Sequence, residues 1–380
     1  MLGLSARTVR TICLSATLIS FAVPVSSERG RAARTGLALY TPSSCAYAIA
    51  TVPFIASIDT MKESQDTLLH PLTDAQITED VDTTASLRVT HVTEDVPWDY
   101  PRYMYKWIRA IRAAGKHVWF RSTFDAWDDI YGAAPTMTPA DYIAALQRFI
   151  AAHPGFFRPG DILDPLPEPE IGPYWARTSP YGTSWGWKNA PNATTDAYNT
   201  FFVNLTRATR DALHAAGVTG VTTNIRSTNP WFASRPHALY PSTVAQIGRV
   251  TTDMYVGQAT TITPALALRQ FQRQIESIER LRGVPLVLGE FGYSLQGLVS
   301  DRQQQAVLAP QLAWMRTQPY IQGANYWHGA GYPSPDTING AKVFTGTIGA
   351  WTPRPAARDL ASFFGSEGRL HHSCAPLAGR

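Results

Sequence analysis

Cysteine is scarce in this chain of 380 residues, which carries three. With Cys13 in an N-terminal apolar segment, only Cys45 and Cys374 are left for the folded part, and no His/Cys cluster has zinc-site spacing. A disulfide-dense or zinc-built scaffold therefore does not fit. Charge is also sparse, at 16% of residues with a net of +4. Arg7, Arg10, Arg29, Arg31 and Arg34 face only Glu28 within the first 50 residues, so the remainder balances at 28 basic against 28 acidic side chains. A near-neutral folded part lacks the basic stripe that nucleic-acid binding requires. The apolar run from Ile12 to Val25 is too short to cross a bilayer comfortably. There is no low-complexity tract and no repeat beyond an alternation of short apolar runs with amphipathic stretches.

That alternation is what the chain does have. Hydrophobic residues make up 44% of it, enough for one large core. Apolar runs at 54–59, 86–92, 117–122, 161–166, 220–224, 249–255, 285–290 and 323–327 read as eight buried strands. Helical periodicity falls between them at 100–114, 139–152, 195–216, 263–282, 303–316 and 354–364. Glycines at 115, 217 and 283 close three of these stretches, and Thr138 and the Thr263-Pro264 pair open two. Repeated βα units predict the α/β class, and eight of them predict a single (β/α)8 TIM barrel.

The N-terminus, with Arg7 and Arg10 before the apolar run and Ser26-Ser27 after it, predicts a secretory signal peptide over 1–27. A retained anchor is the alternative. Residues 28–50 read as a flexible leader, 51–370 as the barrel domain and 371–380 as a tail. Export permits either a Cys45–Cys374 bridge or two free thiols. Asn192-Ala-Thr and Asn204-Leu-Thr match the N-glycosylation pattern. The expected product is an extracellular monomer with no stable membrane insertion and no nucleic-acid partner.

Two carboxylates end apolar runs: Glu168 in Asp161-Ile-Leu-Asp-Pro-Leu-Pro-Glu-Pro-Glu170, and Glu290 in Val284-Pro-Leu-Val-Leu-Gly-Glu-Phe-Gly. Strand C-termini are where an α/β barrel places its chemistry, and two acids at one mouth suit glycosidic bond cleavage. One must be ionised to attack an anomeric carbon, and the other must hold a proton for the leaving oxygen. Glu170, two residues beyond Glu168, competes for the second role. The long segment 171–192 after the fourth strand carries Trp175, Trp185 and Trp187, and with eleven Trp in the chain an aromatic-lined groove for sugar rings is expected.

In these residues the chain resembles the clan A glycoside hydrolases, retaining (β/α)8 enzymes that include cellulase-like and mannanase-like families. The resemblance covers the barrel pattern from about residue 54 to 364. It implies an acid/base Glu before Pro at the end of the fourth strand, matched by Glu168-Pro169, and a nucleophile at the end of the seventh, matched by Glu290. It implies that Tyr255 orients the nucleophile and that Trp327 forms a floor beneath the sugar. It also implies that His91 and Arg121 line the mouth, the Arg lowering the nucleophile's pKa. Asn224 is the candidate polar contact from the fifth strand. The clan has Asn before the acid/base, and this chain has Pro167, which puts its contact to the sugar 2-hydroxyl in doubt. Asp59 and Asp125 sit near strand ends without a further signal. The implied partner is a polysaccharide or oligosaccharide with a β-linkage, with no cofactor and no metal. Two alternatives stand beside this reading: a carbohydrate-binding barrel without catalysis, and a metal-dependent hydrolase built on His91, Asp253 and Glu290.

Overall fold

The computed structural model describes residues 53–124, 138–169, 192–255, 262–293, 300–330, 342–347 and 350–370. Residues 1–50, read as signal and leader, and Cys45, Cys374, Asp125, Glu170, Trp175 and the C-terminal tail lie outside the described residues. No helix among those described is long and apolar enough to cross a membrane.

Eight parallel strands make one sheet: β1 (Ile55–Asp59), β2 (His91–Glu94), β3 (His117–Phe120), β4 (Ile162–Leu163), β5 (Ser227–Thr228), β6 (Val250–Tyr255), β7 (Leu286–Gly292) and β8 (Ile321–Tyr326). Their order is β4-β3-β2-β1-β8-β7-β6-β5, so the first and last strands in sequence are neighbours at its centre. The segments beside the outermost strands also touch: Ile162 on β4 bridges Thr222, which precedes β5, Leu163 N donates to Thr222 O at 2.9 Å, and Glu168 N, beyond β4, donates to Ser227 O at 3.1 Å.

The connecting helices start where side chains can satisfy their free N–H groups. Thr73 and Gln76 form a reciprocal capping box for Asp74–Ala85, and Thr138 and Asp141 do so for Pro139–Ala152. Thr263 caps Pro264–Arg282, and Gly283 closes that helix at φ 60°, a left-handed turn that suits a residue without Cβ. The helices at 192–215, 301–315 and 355–370 fall where the periodicity predicts them, within a few residues except at the C-terminal end of the last. The capped helix Asp74–Ala85 was not foreseen; its short polar sequence buries Ile77, Asp80, Val81 and Thr84.

Two strands are displaced from their predicted positions. The segment read as strand two, 86–92, is mostly the exit from this helix: Arg88 turns at φ 64°, Leu87 and Val89 bury themselves in the turn, and β2 begins only at His91. The segment read as strand five, 220–224, contributes one bridge, whereas the ladder to β6 is made by Ser227 and Thr228, whose sequence has no apolar signature.

Ile55, Trp119, Ile162, Ile225 and Val287 form a small apolar cluster distinct from the large core between strands and helices. They come from strands that are not all neighbours in the sheet, so they meet across its inner side. Toward the C-terminal rim the inner side turns polar. Ser57 Oγ and Thr93 Oγ1 share a hydrogen bond of 2.8 Å, and Thr93 Oγ1 donates to Asn325 Oδ1 at 2.9 Å.

Candidate active site

At the C-terminal rim, Arg121, immediately after β3, lies buried among three acids. Its Nη1 donates to Asp59 Oδ2 at 2.9 Å and to Glu290 Oε1, and its Nη2 donates to Asp253 Oδ2 at 3.2 Å. In sheet order β3 and β7 are four strands apart, which in a flat sheet would separate them by about 19 Å. The contact therefore requires a strongly curled sheet.

Glu290 reaches this position through a bulge. Thr252 pairs with Leu288 and Asp253 with Glu290, so Gly289 and Glu290 together oppose a single residue of β6. The extra residue interrupts the alternation. Leu288 and Phe291 face the outer core, while Gly289 and Glu290 both fall on the inner side. A Cβ on Gly289 would stand 2.3 Å from both Asp253 Oδ1 and Ser227 Oγ, so glycine is required for the bulge to sit against β6. Asn325 Nδ2 fixes the same turn, donating to Gly289 O and to Asp59 Oδ2, each at 2.9 Å. Asp59 Oδ1 accepts from Met61 N at 2.7 Å.

Tyr255, at the end of β6, donates its hydroxyl to Glu290 Oε2. Its ring packs edge-on against Trp327, with centroids 5.7 Å apart. Trp327 directly follows β8 and is anchored by its N–H to Phe291 O at 2.9 Å. Glu168 follows β4 with a left-handed backbone, φ 41°, a conformation costing a non-glycine residue about 1–3 kcal/mol, and such strain gathers at functional sites. Its charge acts on both Asp253 and Tyr255.

Burial governs the electrostatics here. It raises Glu290 above an ordinary carboxylate; Arg121 pulls down, Asp59 pushes up, and the Tyr255 and Arg121 hydrogen bonds pull down, leaving the net upward. Arg121 thus lowers Glu290 as the resemblance implies, but desolvation outweighs it. Burial also raises Asp253, reinforced by the charges of Glu290 and Glu168 and opposed by Arg121. Burial, then the Glu290 charge, also raises the Tyr255 hydroxyl, which stays a donor. Burial disfavours the Arg121 cation, but Glu290, Asp253 and Asp59 more than restore it.

Two expected mouth residues lie elsewhere. His91 is the first residue of β2, at the opposite rim from Glu290; its Nε2 shares a hydrogen bond of 2.9 Å with Gly160 O and its ring lies 5.3 Å from that of His117. The strand starts later than its apolar pattern suggested, and burial pushes His91 down to about 4. Asn224 precedes β5 and donates to Ile247 O at 3.2 Å, toward the N-terminal end of β6. The metal alternative fails with His91, since that residue is at the other rim from Asp253 and Glu290. Among the described residues no group of three His, Cys, Asp or Glu is placed to hold a metal ion. Asp59 and Asn325 were not selected from the sequence, and Asp253 entered only as a metal ligand. The available signal was the period of two, which puts Ser57 with Asp59, and Asp253 with Tyr255, on one side of their strands.

No family model and no curated protein matches the chain. Solved structures do. A β-D-glucuronidase from Dictyoglomus thermophilum aligns at 14% identity with a TM-score of 0.57, over 83% of this chain and 50% of that one. A family 39 glycoside hydrolase from Bacteroides cellulosilyticus aligns at 13% identity and TM-score 0.53, over 85% and 65%. A family 113 β-1,4-mannanase aligns at 10% identity and TM-score 0.50, over 83% and 99%. The chain spans about half the length of the β-glucuronidases it matches. At these identities the likeness is one of fold alone.

Proposed function

We propose that this chain is a secreted retaining glycoside hydrolase that cleaves a β-linked glycan by double displacement, with Glu290 as nucleophile and Glu168 as acid/base. The observation that carries the reading is the seat of Glu290: a bulge turns its carboxylate inward at a strand C-terminus, where one oxygen accepts from Arg121 and the other from Tyr255. Two donors of this kind orient a carboxylate for attack and favour its charged form against burial. Glu168 stands after β4 and acts electrostatically on the same Asp253 and Tyr255 that surround Glu290. Trp327 beside Tyr255 supplies an aromatic surface for a sugar ring.

A closed (β/α)8 barrel is part of this reading, supported by the bonds from Ile162, Leu163 and Glu168 to Thr222 and Ser227 beside the sheet's two edges. In the first step Glu290 attacks the anomeric carbon while Glu168 gives its proton to the departing oxygen. In the second, Glu168 takes a proton from the water that displaces Glu290. Export follows from the basic, then apolar, N-terminal segment, and a monomeric enzyme acting on a polysaccharide or oligosaccharide completes the proposal.

The test is a panel of β-glycans and activated aryl β-glycosides with the wild type, Glu290→Ala and Glu168→Ala. Glu290→Ala is expected to lose turnover on every substrate. Glu168→Ala is expected to lose it on natural glycans and to regain part of it on the aryl glycoside with azide, giving a β-glycosyl azide. Activity surviving Glu290→Ala overturns the nucleophile. Binding without turnover by the wild type replaces the enzyme with a carbohydrate-binding barrel. Azide rescue of Glu170→Ala in place of Glu168→Ala moves the acid/base role.

A further inference from the structure

Three carboxylates converge on the single guanidinium of Arg121, and their hydrogen bonds are unequal. Both oxygens of Glu290 accept, from Arg121 and from Tyr255. Both oxygens of Asp59 accept, from Met61 N and from Arg121 and Asn325. Asp253 differs: Oδ2 accepts from Arg121 Nη2, but Oδ1 is buried with no hydrogen-bond partner among the described residues. Ser227 Oγ, which is buried and interacts with the Asp164 carboxyl, and Asp253 Oδ1 each stand 2.3 Å from the point where a Cβ on Gly289 would be, so the two atoms flank one small space. A bare carboxylate oxygen there would be a buried charge without a donor, which costs several kcal/mol, whereas a hydroxyl carries no charge and has Ser227 Oγ beside it as an acceptor.

We propose that Asp253 is a neutral carboxylic acid in the working enzyme, its proton on Oδ1 in the space shared with Ser227, and that it serves as a positioning residue holding Arg121 for Glu290. The inference rests on the glycosidase reading for its purpose but not for its geometry. A neutral Asp253 still accepts from Arg121 through Oδ2, and it fixes the fork without competing with Glu290 for the positive charge. The groups facing it are Glu290 on β7, Arg121 after β3, Glu168 and Asp164 after β4 and Tyr255 on its own strand, with Asp59 on β1 sharing its arginine. Four of these six are acids, and burial with the charges of Glu290 and Glu168 favours its neutral form. As Glu290 esterifies, one negative charge leaves the cluster, and a neutral neighbour leaves Arg121 to answer that change alone.

The decisive measurement needs no substrate: carbon NMR of protein labelled at the aspartate carboxyl carbon, titrated from pH 4 to 9, for wild type and Asp253→Asn. A protonated carboxyl signal persisting at neutral pH in the wild type and missing from Asp253→Asn is expected. Because such a proton is released on unfolding, the melting temperature of the wild type should fall with rising pH relative to Asp253→Asn. On any substrate turned over, Asp253→Asn should keep kcat/KM within about threefold of wild type on its plateau, while Asp253→Leu, which cannot accept from Arg121, loses at least a hundredfold. An ionised signal at every pH, or a hundredfold loss in Asp253→Asn, overturns the proposal. Should Asp253→Asn fail to fold, Glu290→Gln decides: removing the Glu290 charge must move the protonated signal to a lower pH. Failure of the glycosidase reading shows separately, as activity surviving in Glu290→Ala while the wild type keeps its protonated carboxyl signal at neutral pH.

Discussion

Arg121 and Glu290 stand four strands apart in sheet order yet share a hydrogen bond, and the same Nη1 also holds Asp59. One guanidinium thus ties the start of the sheet, its third strand and its seventh into a single charged unit.

Arg121→Met would leave buried acids without their cation. Removing one partner of a buried pair costs about 3–5 kcal/mol, so a large drop in denaturant midpoint together with loss of turnover is expected. Unchanged stability would show that the acids do not depend on the arginine.

Tyr255→Phe keeps the ring against Trp327 and removes only the donor to Glu290. Hydrogen bonds to charged groups contribute about 1.5–3 kcal/mol, which corresponds to roughly a 10- to 150-fold fall in kcat/KM with little change in melting temperature. The nucleophile must be ionised, so activity rises with pH through the Glu290 pKa. The acid limb of kcat/KM should lie above the usual Glu value of about 4.3, and Tyr255→Phe should move it higher.

Gly289→Ala sets a methyl group against Asp253 Oδ1 and Ser227 Oγ at 2.3 Å, with Thr251 Cγ2 at 2.9 Å. Overpacking costs about 1–3 kcal/mol, and the bulge that aims Glu290 is expected to shift. Loss of activity well beyond the loss of stability is the outcome that supports this role.

The fold should be more stable in acid than in alkali. Burial, and then the Glu79 charge, push Asp80 up to about 8, and burial with the nearby Asp80 raises Glu63. A carboxyl raised in the folded state contributes stability at low pH that is lost as pH climbs through its folded value. The melting temperature should decline toward pH 8, and Asp80→Asn should flatten that slope. His91, lowered to about 4, acts oppositely below pH 6.5, where an unfolded imidazole gains a proton that the folded one refuses.

Much of the architecture was written in local pattern. Apolar runs of five to seven residues marked β1, β6 and β7, threonine caps opened the helices at 139–152 and 264–282, and Gly283 closed the second. Glu290, Tyr255 and Arg121 were found because each ends, or directly follows, such a run. His91 and Asn224 were misplaced for the complementary reason: Leu87 and Val89 are apolar because they cap a helix exit, and the working part of β5, Ser227–Thr228, is polar.

The sequence by itself determined the βα alternation, most of its helices and the acids at strand ends, because hydrophobic period and chain-reversing residues act over a few positions. Only the tertiary structure decided that Gly289 and Glu290 share one place opposite Asp253, and that Arg121 gathers Asp59, Asp253 and Glu290 from three distant strands. Sheet curvature and a one-residue bulge depend on how strands separated by up to about 230 residues come to pack, and no local window of sequence holds that information.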